Sequence, residues 1–181
     1  MQKYFEKIPG ERLFLSPMHP DDFELNTKWM NDPAVAVSFG VYPMMMTLPR
    51  VRKQLEGPPD DDHEFSIVLR GDERLIGYIC LLNPNNRDGT AEISIMIGEE
   101  ADRGCGYGAE AMRLLLGYAF DTLRLHNIQL NLNSDNEQAL ACYKKVGFKE
   151  IGRRREAKWV RGGFVDVVYM DILSNEYMGR N

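Results

Sequence analysis

Apolar residues follow two periods along the chain, and the switches between them mark out helical and extended stretches. A first run near Arg12 to Ser16 reads as a strand. "PDDFELNTKWMND" then opens with Pro20 and acidic residues, sets Phe23, Leu25 and Trp29 within helical reach and stops before Pro33, which predicts a helix. A second short helix is expected over 47–57, with Thr47 as a cap, Pro49 in the first turn and Gly57 at the end. "PPDDD" follows as a loop.

From Glu64 the period shortens to two. "EFSIVL", "LIGYICLL" and "TAEISIMIG" alternate as strands, and the turns "RGDER" and "NPNNRDG" join them in an antiparallel series. Helical spacing returns in "GYGAEAMRLLLGYAFDTLR", where Ala109, Met112, Leu116, Ala119, Phe120 and Leu123 share one face of a long helix. "NIQLNLN" is a strand. "DNEQALACYKKVG" is a helix capped by Asp135 or Asn136 and ended by Gly147, and a hairpin built on "RGG" closes the chain. The order is β-α-α-β-β-β-α-β-α-β-β.

Composition narrows the class. With 181 residues, 44% hydrophobic and 27% charged, the chain is expected to fold as one domain over 1–181. Its three cysteines, Cys80, Cys105 and Cys142, have neither disulfide-framework nor zinc spacing, which fits a reducing cytoplasm. No signal peptide or membrane-length apolar run is visible. A net charge of -5 argues against general nucleic-acid binding and mildly favours cationic small molecules or basic protein surfaces. His19, His63 and His126 lack metal spacing, so no metal is expected.

"DRGCGYG", residues 102–108, admits two chemistries. As D-x-G-x-G-x-G it looks like the loop of S-adenosylmethionine-dependent methyltransferases; as R-x-x-G-x-G it looks like the pyrophosphate loop of coenzyme A-dependent acetyltransferases. Both need glycines that let backbone N–H groups approach an anion at a helix N-terminus. The methyltransferase reading wants an apolar strand directly before the loop and a carboxylate about 20 residues on. Here "GEEAD" intervenes, "LRLHN" supplies no carboxylate downstream, and too few strand–helix units remain for that fold.

Three ordered segments instead resemble the GNAT superfamily of N-acetyltransferases: "AEISIMIG", "RGCGYGAEAM" and "NEQALACYKKVGF". The resemblance runs from Glu11 to Leu173 and is greatest to the branch holding ribosomal-protein N-terminal and spermidine N-acetyltransferases. It implies a mixed α/β fold with a mostly antiparallel central sheet flanked by helices, and acetyl-CoA as cosubstrate. The acceptor it implies is a primary amine, on a protein N-terminus or a small molecule such as a polyamine. A non-catalytic acetyl-CoA-binding module remains the alternative. Oligomeric state stays open, a homodimer included.

Acetyl transfer to an alkylammonium with a pKa of about 10 requires a proton to leave the nitrogen and another to reach the departing sulfur. By resemblance Glu92 is the base, directly or through water; the competing reading is a carboxylate paired across the sheet. Tyr143 is the candidate acid, or else a packed aromatic. Asn136, Ala139 and Tyr143 recur on one helical face. The resemblance gives Asn136 to the pantetheine arm or the loop beside it, with helix capping as its other role, and Ala139 is small enough to let that arm pass.

Backbone groups of Arg103, Gly104, Cys105, Gly106, Tyr107 and Gly108 are expected at the pyrophosphate, and those of Ile95, Met96 and Ile97 at pantetheine. Asn131 faces the cofactor cleft in the family pattern but also suits a solvent-facing strand position. Cys105 stands where the family often has a basic residue, and no histidine lies near it in sequence to make it a nucleophile. "GRRREAKWVR" reads as alternating strand faces before it reads as an RNA contact. "YPMMMTLP" is either an adaptable substrate wall or core, and "PPDDDHE" either attracts a polyamine or is a solvated loop.

Overall fold

The structure, a computed structural model, describes residues 2–40, 43–56 and 63–177. In chain order it places β1 (Ile8–Pro9), β2 (Leu13–Pro17), α1 (Phe23–Asn31), α2 (Pro33–Phe39) and α3 (Leu48–Glu56). Then come β3 (His63–Leu69), β4 (Leu75–Asn85), β5 (Thr90–Ile97), α4 (Tyr107–Gly117), β6 (Asn127–Asn133), α5 (Glu137–Val146), β7 (Lys149–Val160) and β8 (Gly163–Leu173). The strands form one eight-stranded sheet in the order β1-β2-β3-β4-β5-β6-β8-β7. Neighbours are antiparallel except β5 and β6, which run parallel.

Alternation along the strands builds two cores. Leu13, Ile67, Ile79 and Ile93 face one way and bury Met112, Leu115 and Leu116 of α4, with Leu140 and Tyr143 of α5 packed at the margin. Phe14, Val68, Tyr78 and Met96 face the other way, under Trp29 of α1 and Val35 of α2. A third cluster joins Met46, Val51 and Leu55 to Phe23 and Met30.

Two elements were not expected. Pro33 reads as the end of a helix, and α1 does end at Asn31, but the same proline opens α2. Asp32 accepts a hydrogen bond from Ala34 N (2.9 Å), and Gly40 closes α2 in the left-handed region at φ 81°. Proline is compatible with a first helical turn because the N–H it lacks would be unpaired there. The two-residue β1 is the other addition. The long helix expected over 106–124 changes to a π-helical turn at Tyr118–Thr122, where Leu123 N bonds Tyr118 O (3.1 Å).

Of the methionine run, Met46 is buried while Met44 and Met45 are 49% and 81% exposed. Tyr42, Gly57 and residues 58–62, which carry the expected helix end and most of the acidic loop, lie outside the described residues. No described helix is long and apolar enough to cross a membrane.

Candidate active site

Parallel β5 and β6 pair only over Thr90–Glu92 and Asn127–Gln129. Beyond that point β6 continues on β8 alone, while β5 continues on β4 alone as far as Ile97. The parting leaves the β6-facing backbone edge of Ile93–Ile97 without a strand partner among the described residues, in a wedge that opens toward α4 and α5. A cavity of about 490 Å³ fills it, the size of a small-ligand site. Ile95, Met96 and Ile97 form its floor, α2 (Val35, Ser38, Phe39) one wall, and α5 (Asn136, Ala139, Tyr143) the other.

The glycine loop closes one end. Gly104, Gly106 and Gly108 line the cavity, and Gly104 and Gly106 take φ of 75° and 85°, where a side chain would be strained. Cys105 and Tyr107 turn away: Cys105 Sγ lies 3.5 Å from Ala101 O, and the Tyr107 ring sits 4.8 Å beneath the Arg12 guanidinium. Among the described residues no side chain caps the start of α4 at Gly106, so its first N–H groups are available to an anion. This lining and this helix end fit a pyrophosphate.

Three charged contacts fix the loop from outside. Glu99 accepts from Trp29 Nε1 (2.8 Å) and Lys28 Nζ (2.6 Å) of α1. Asp102 receives Arg74 Nη1 and Nη2 from the β3–β4 turn (2.7 and 2.9 Å). Arg12 grips α4 through Glu110 (N to Oε1 and Nε to Oε2, each 2.8 Å) and reaches Cys105 O (3.0 Å). Hydrogen bonds from Lys28 and Trp29 hold the Glu99 carboxyl below its usual range, and those from Arg74 do the same for Asp102. Burial pushes Glu110 upward, but the Arg12 backbone and guanidinium bonds outweigh it, and the net shift is down.

Arg103, read as the opening of the phosphate motif, folds its guanidinium back onto Ile97 O (3.2 Å) and Gly98 O (2.6 Å), closing the end of β5. Gly98 lies flat under Trp29; a Cβ there would come 2.0 Å from the indole. On the opposite wall Asn136 Oδ1 accepts from Ala139 N (3.1 Å), capping α5 while lining the cavity. Tyr143, one helical face along, packs on Phe148 at 6.2 Å. Burial, with a smaller contribution from neighbouring Cys142, pushes its phenol up to about 12, so it stays a proton donor through the neutral range.

Glu92 and Asn131 lie elsewhere. Both point to the α1–α2 face of the sheet, outside the lining of the cavity, and Asn131 Nδ2 donates to Glu92 Oε1 (3.0 Å). The structure thus gathers Ile95–Ile97, the glycine loop, Asn136, Ala139 and Tyr143 around one cavity, and sets the Glu92–Asn131 pair on the α1–α2 face of the sheet, three residues before the β5 lining begins. Sequence reasoning missed α2, Arg12, Arg74 and Lys145, a cationic residue lining the cavity from α5. The density of carboxylates in "GEEAD" was the available signal for the anchors.

His19, His63 and His126 each have a local partner: Asp21 N, Tyr118 OH and Ser174 Oγ. Among the described residues no group of three or more potential ligands is placed to hold a metal. Arg153 of the basic run pairs with Glu150 on its own strand (2.6 Å).

A family model described as an acetyltransferase (GNAT) domain matches residues 12–149. The chain is 32% identical over 122 residues to a spermidine N(1)-acetyltransferase of Vibrio cholerae, covering 67% of this chain and 70% of that one. It is 25% identical over 179 residues to an uncharacterized N-acetyltransferase, p20, of Bacillus licheniformis, covering 96% and 99%. In fold it is similar to the crystal structure of spermidine N-acetyltransferase from Vibrio cholerae in complex with CoA and spermine, with a TM-score of 0.84 at 24% identity over 92% of this chain and 98% of that one. A wedge floored by β5, closed by a left-handed glycine turn and matched by that domain has one reading: the chain belongs to the GNAT family and is an acetyl-CoA-dependent N-acetyltransferase.

Proposed function

We propose that the protein transfers acetyl directly to a primary amine within a ternary complex, and that the acceptor is a small cationic amine of the polyamine class. The observation that carries the reading is the parting of β5 from β6 after Glu92. It leaves the unpaired strand edge and Tyr143 bordering one cavity, with the Glu92 carboxylate on the same strand, three residues before the cavity lining begins. The spermidine acetyltransferase relative supports a small-molecule acceptor over a peptide N-terminus, and the chain's own net charge of -5 suits a cationic acceptor of either kind.

Acetyl-CoA supplies the acetyl group as a thioester. The α4 N-terminus and the Gly104–Gly108 backbone hold its pyrophosphate, and the free edge of Ile95–Ile97 offers backbone partners to the pantetheine arm. Glu92 takes the proton that makes the acceptor nitrogen nucleophilic, and Tyr143 gives a proton to the departing sulfur. Asn131 holds one carboxylate oxygen of Glu92, leaving the other for the proton.

Thiol release from acetyl-CoA across polyamines, aminoglycosides and N-terminal peptides tests the reading, which expects turnover with polyamines. Turnover with peptides alone would move the acceptor to protein N-termini. Binding without turnover on any amine would leave a non-catalytic acetyl-CoA module.

A further inference from the structure

Glu92 as a base has a reach problem. The β5 contribution to the cavity begins at Ile95, and successive side chains on the Glu92 face are Glu92, Ser94 and Met96. At a rise of about 3.3 Å per residue, Met96 stands about 13 Å along the strand from Glu92 and Ser94 about 6.6 Å. The Asn131 contact shows which way the carboxylate leans. Gln129 is the parallel partner of Glu92, and Asn131 lies two residues further along β6, level with Ser94. Glu92 therefore inclines toward the cavity end of the strand and toward Ser94.

Ser94 is half-buried, pairs with Cys80 on β4, and stands on the same face as Glu92, between it and Met96, beyond the point where β6 pairs with β5. Its hydroxyl makes no hydrogen bond among the described residues. A hydroxyl can donate and accept at once, which neither Met96 nor the flanking aliphatic side chains can do.

We propose that Ser94 relays the proton from the acceptor ammonium to Glu92. This rests on the reading of Glu92 as the base. Ser94 Oγ takes a proton from nitrogen as its own proton passes to the free Glu92 oxygen, and the nitrogen lone pair so released forms the C–N bond while the C–S bond breaks. Sulfur leaves with the bonding pair and takes the Tyr143 proton. The second nitrogen proton goes to solvent, which reprotonates Tyr143, and Glu92 returns its proton to solvent. One net proton is released per acetylated ammonium.

The test compares two polyamine-like acceptors of matched length, one ending in a primary alkylamine and one in an acyl hydrazide whose terminal nitrogen is already neutral at the assay pH. In Ser94→Ala the ratio of alkylamine to hydrazide kcat should fall about tenfold or more. Ser94→Thr, which keeps the hydroxyl, should restore it. Coenzyme A affinity by calorimetry should stay within about twofold of wild type in both, since a relay group takes no part in holding the cofactor. An unchanged ratio, or an equal loss on both acceptors, overturns the relay while leaving the acetyltransferase reading intact. A wild type that releases thiol with neither acceptor overturns the amine reading and the relay with it.

Discussion

Arg74 and Asp102 face each other through two parallel hydrogen bonds of 2.7 and 2.9 Å, joining the β3–β4 turn to the residue just before the glycine loop. The carboxylate is buried and the guanidinium half-exposed, so the pair's worth is set by what the carboxylate loses if left alone. Asp102→Asn should cost about 1–2 kcal/mol, a Tm drop of about 2–8 °C. It should also weaken acetyl-CoA binding, because the loop loses a post. The pH dependence has a fixed sign. Arg74 lowers the folded-state pKa of Asp102, so the contribution is fully present above the unfolded value of about 3.9 and fades as pH falls through the folded one. The Tm gap between wild type and Asp102→Asn should hold from neutral pH to about 5 and shrink below about 4; a gap that widens on acidification would contradict the assignment.

Arg12 anchors the same loop from the position just before β2. Its side chain touches Glu110, Cys105 O and the Tyr107 ring but does not line the cavity. Arg12→Ala should raise the acetyl-CoA KM about tenfold and leave kcat within about twofold, the pattern of lost ground-state binding. Arg12→Lys, a point charge without the fork, should fall between. A kcat collapse at unchanged KM would mean that Arg12 serves the chemistry.

Tyr143→Phe keeps the ring packed on Phe148 and removes only the hydroxyl. Turnover should fall about 100-fold or more, with coenzyme A affinity nearly unchanged. Because burial raises the phenol to about 12, the wild-type rate should show no loss from tyrosine ionisation up to about pH 10. Equal turnover, with chemistry shown to limit the rate, would remove Tyr143 from the mechanism.

Gly98→Ala asks whether α1 must cross β5 so closely. The added methyl would meet the Trp29 indole at 2.0 Å, displace it and break its bond to Glu99. A loss of about 1–3 kcal/mol is expected, with a changed Trp29 environment in fluorescence. Wild-type stability would show that α1 moves aside freely.

What the chain revealed in advance was what is encoded locally. The α5 boundaries could be read because Asn136 caps its first turn and Gly147 ends it at φ 120°. β3 to β5 could be read because their period-two alternation meets a core on each side. The loop anchors could not: Arg12 and Glu110 are 98 residues apart, and Arg74 and Asp102 are 28 apart, with no period linking them. "GEEAD" looked like a charged spacer, yet two of its acids are what fasten the loop. α2 was hidden because Pro33 signals the end of one helix and the start of the next equally well. Glu92, Asn131 and Tyr143 were visible as residue types on elements. Which of them border the cavity depends on where β5 and β6 part, which no residue in either strand announces.

The most direct test is a two-substrate initial-rate experiment with acetyl-labelled acetyl-CoA and a polyamine, following both thiol release and label in the isolated amide. Direct transfer predicts intersecting double-reciprocal lines, one labelled amide per thiol released and no label on the protein. Parallel lines with labelled protein, or thiol release without amide, would contradict it.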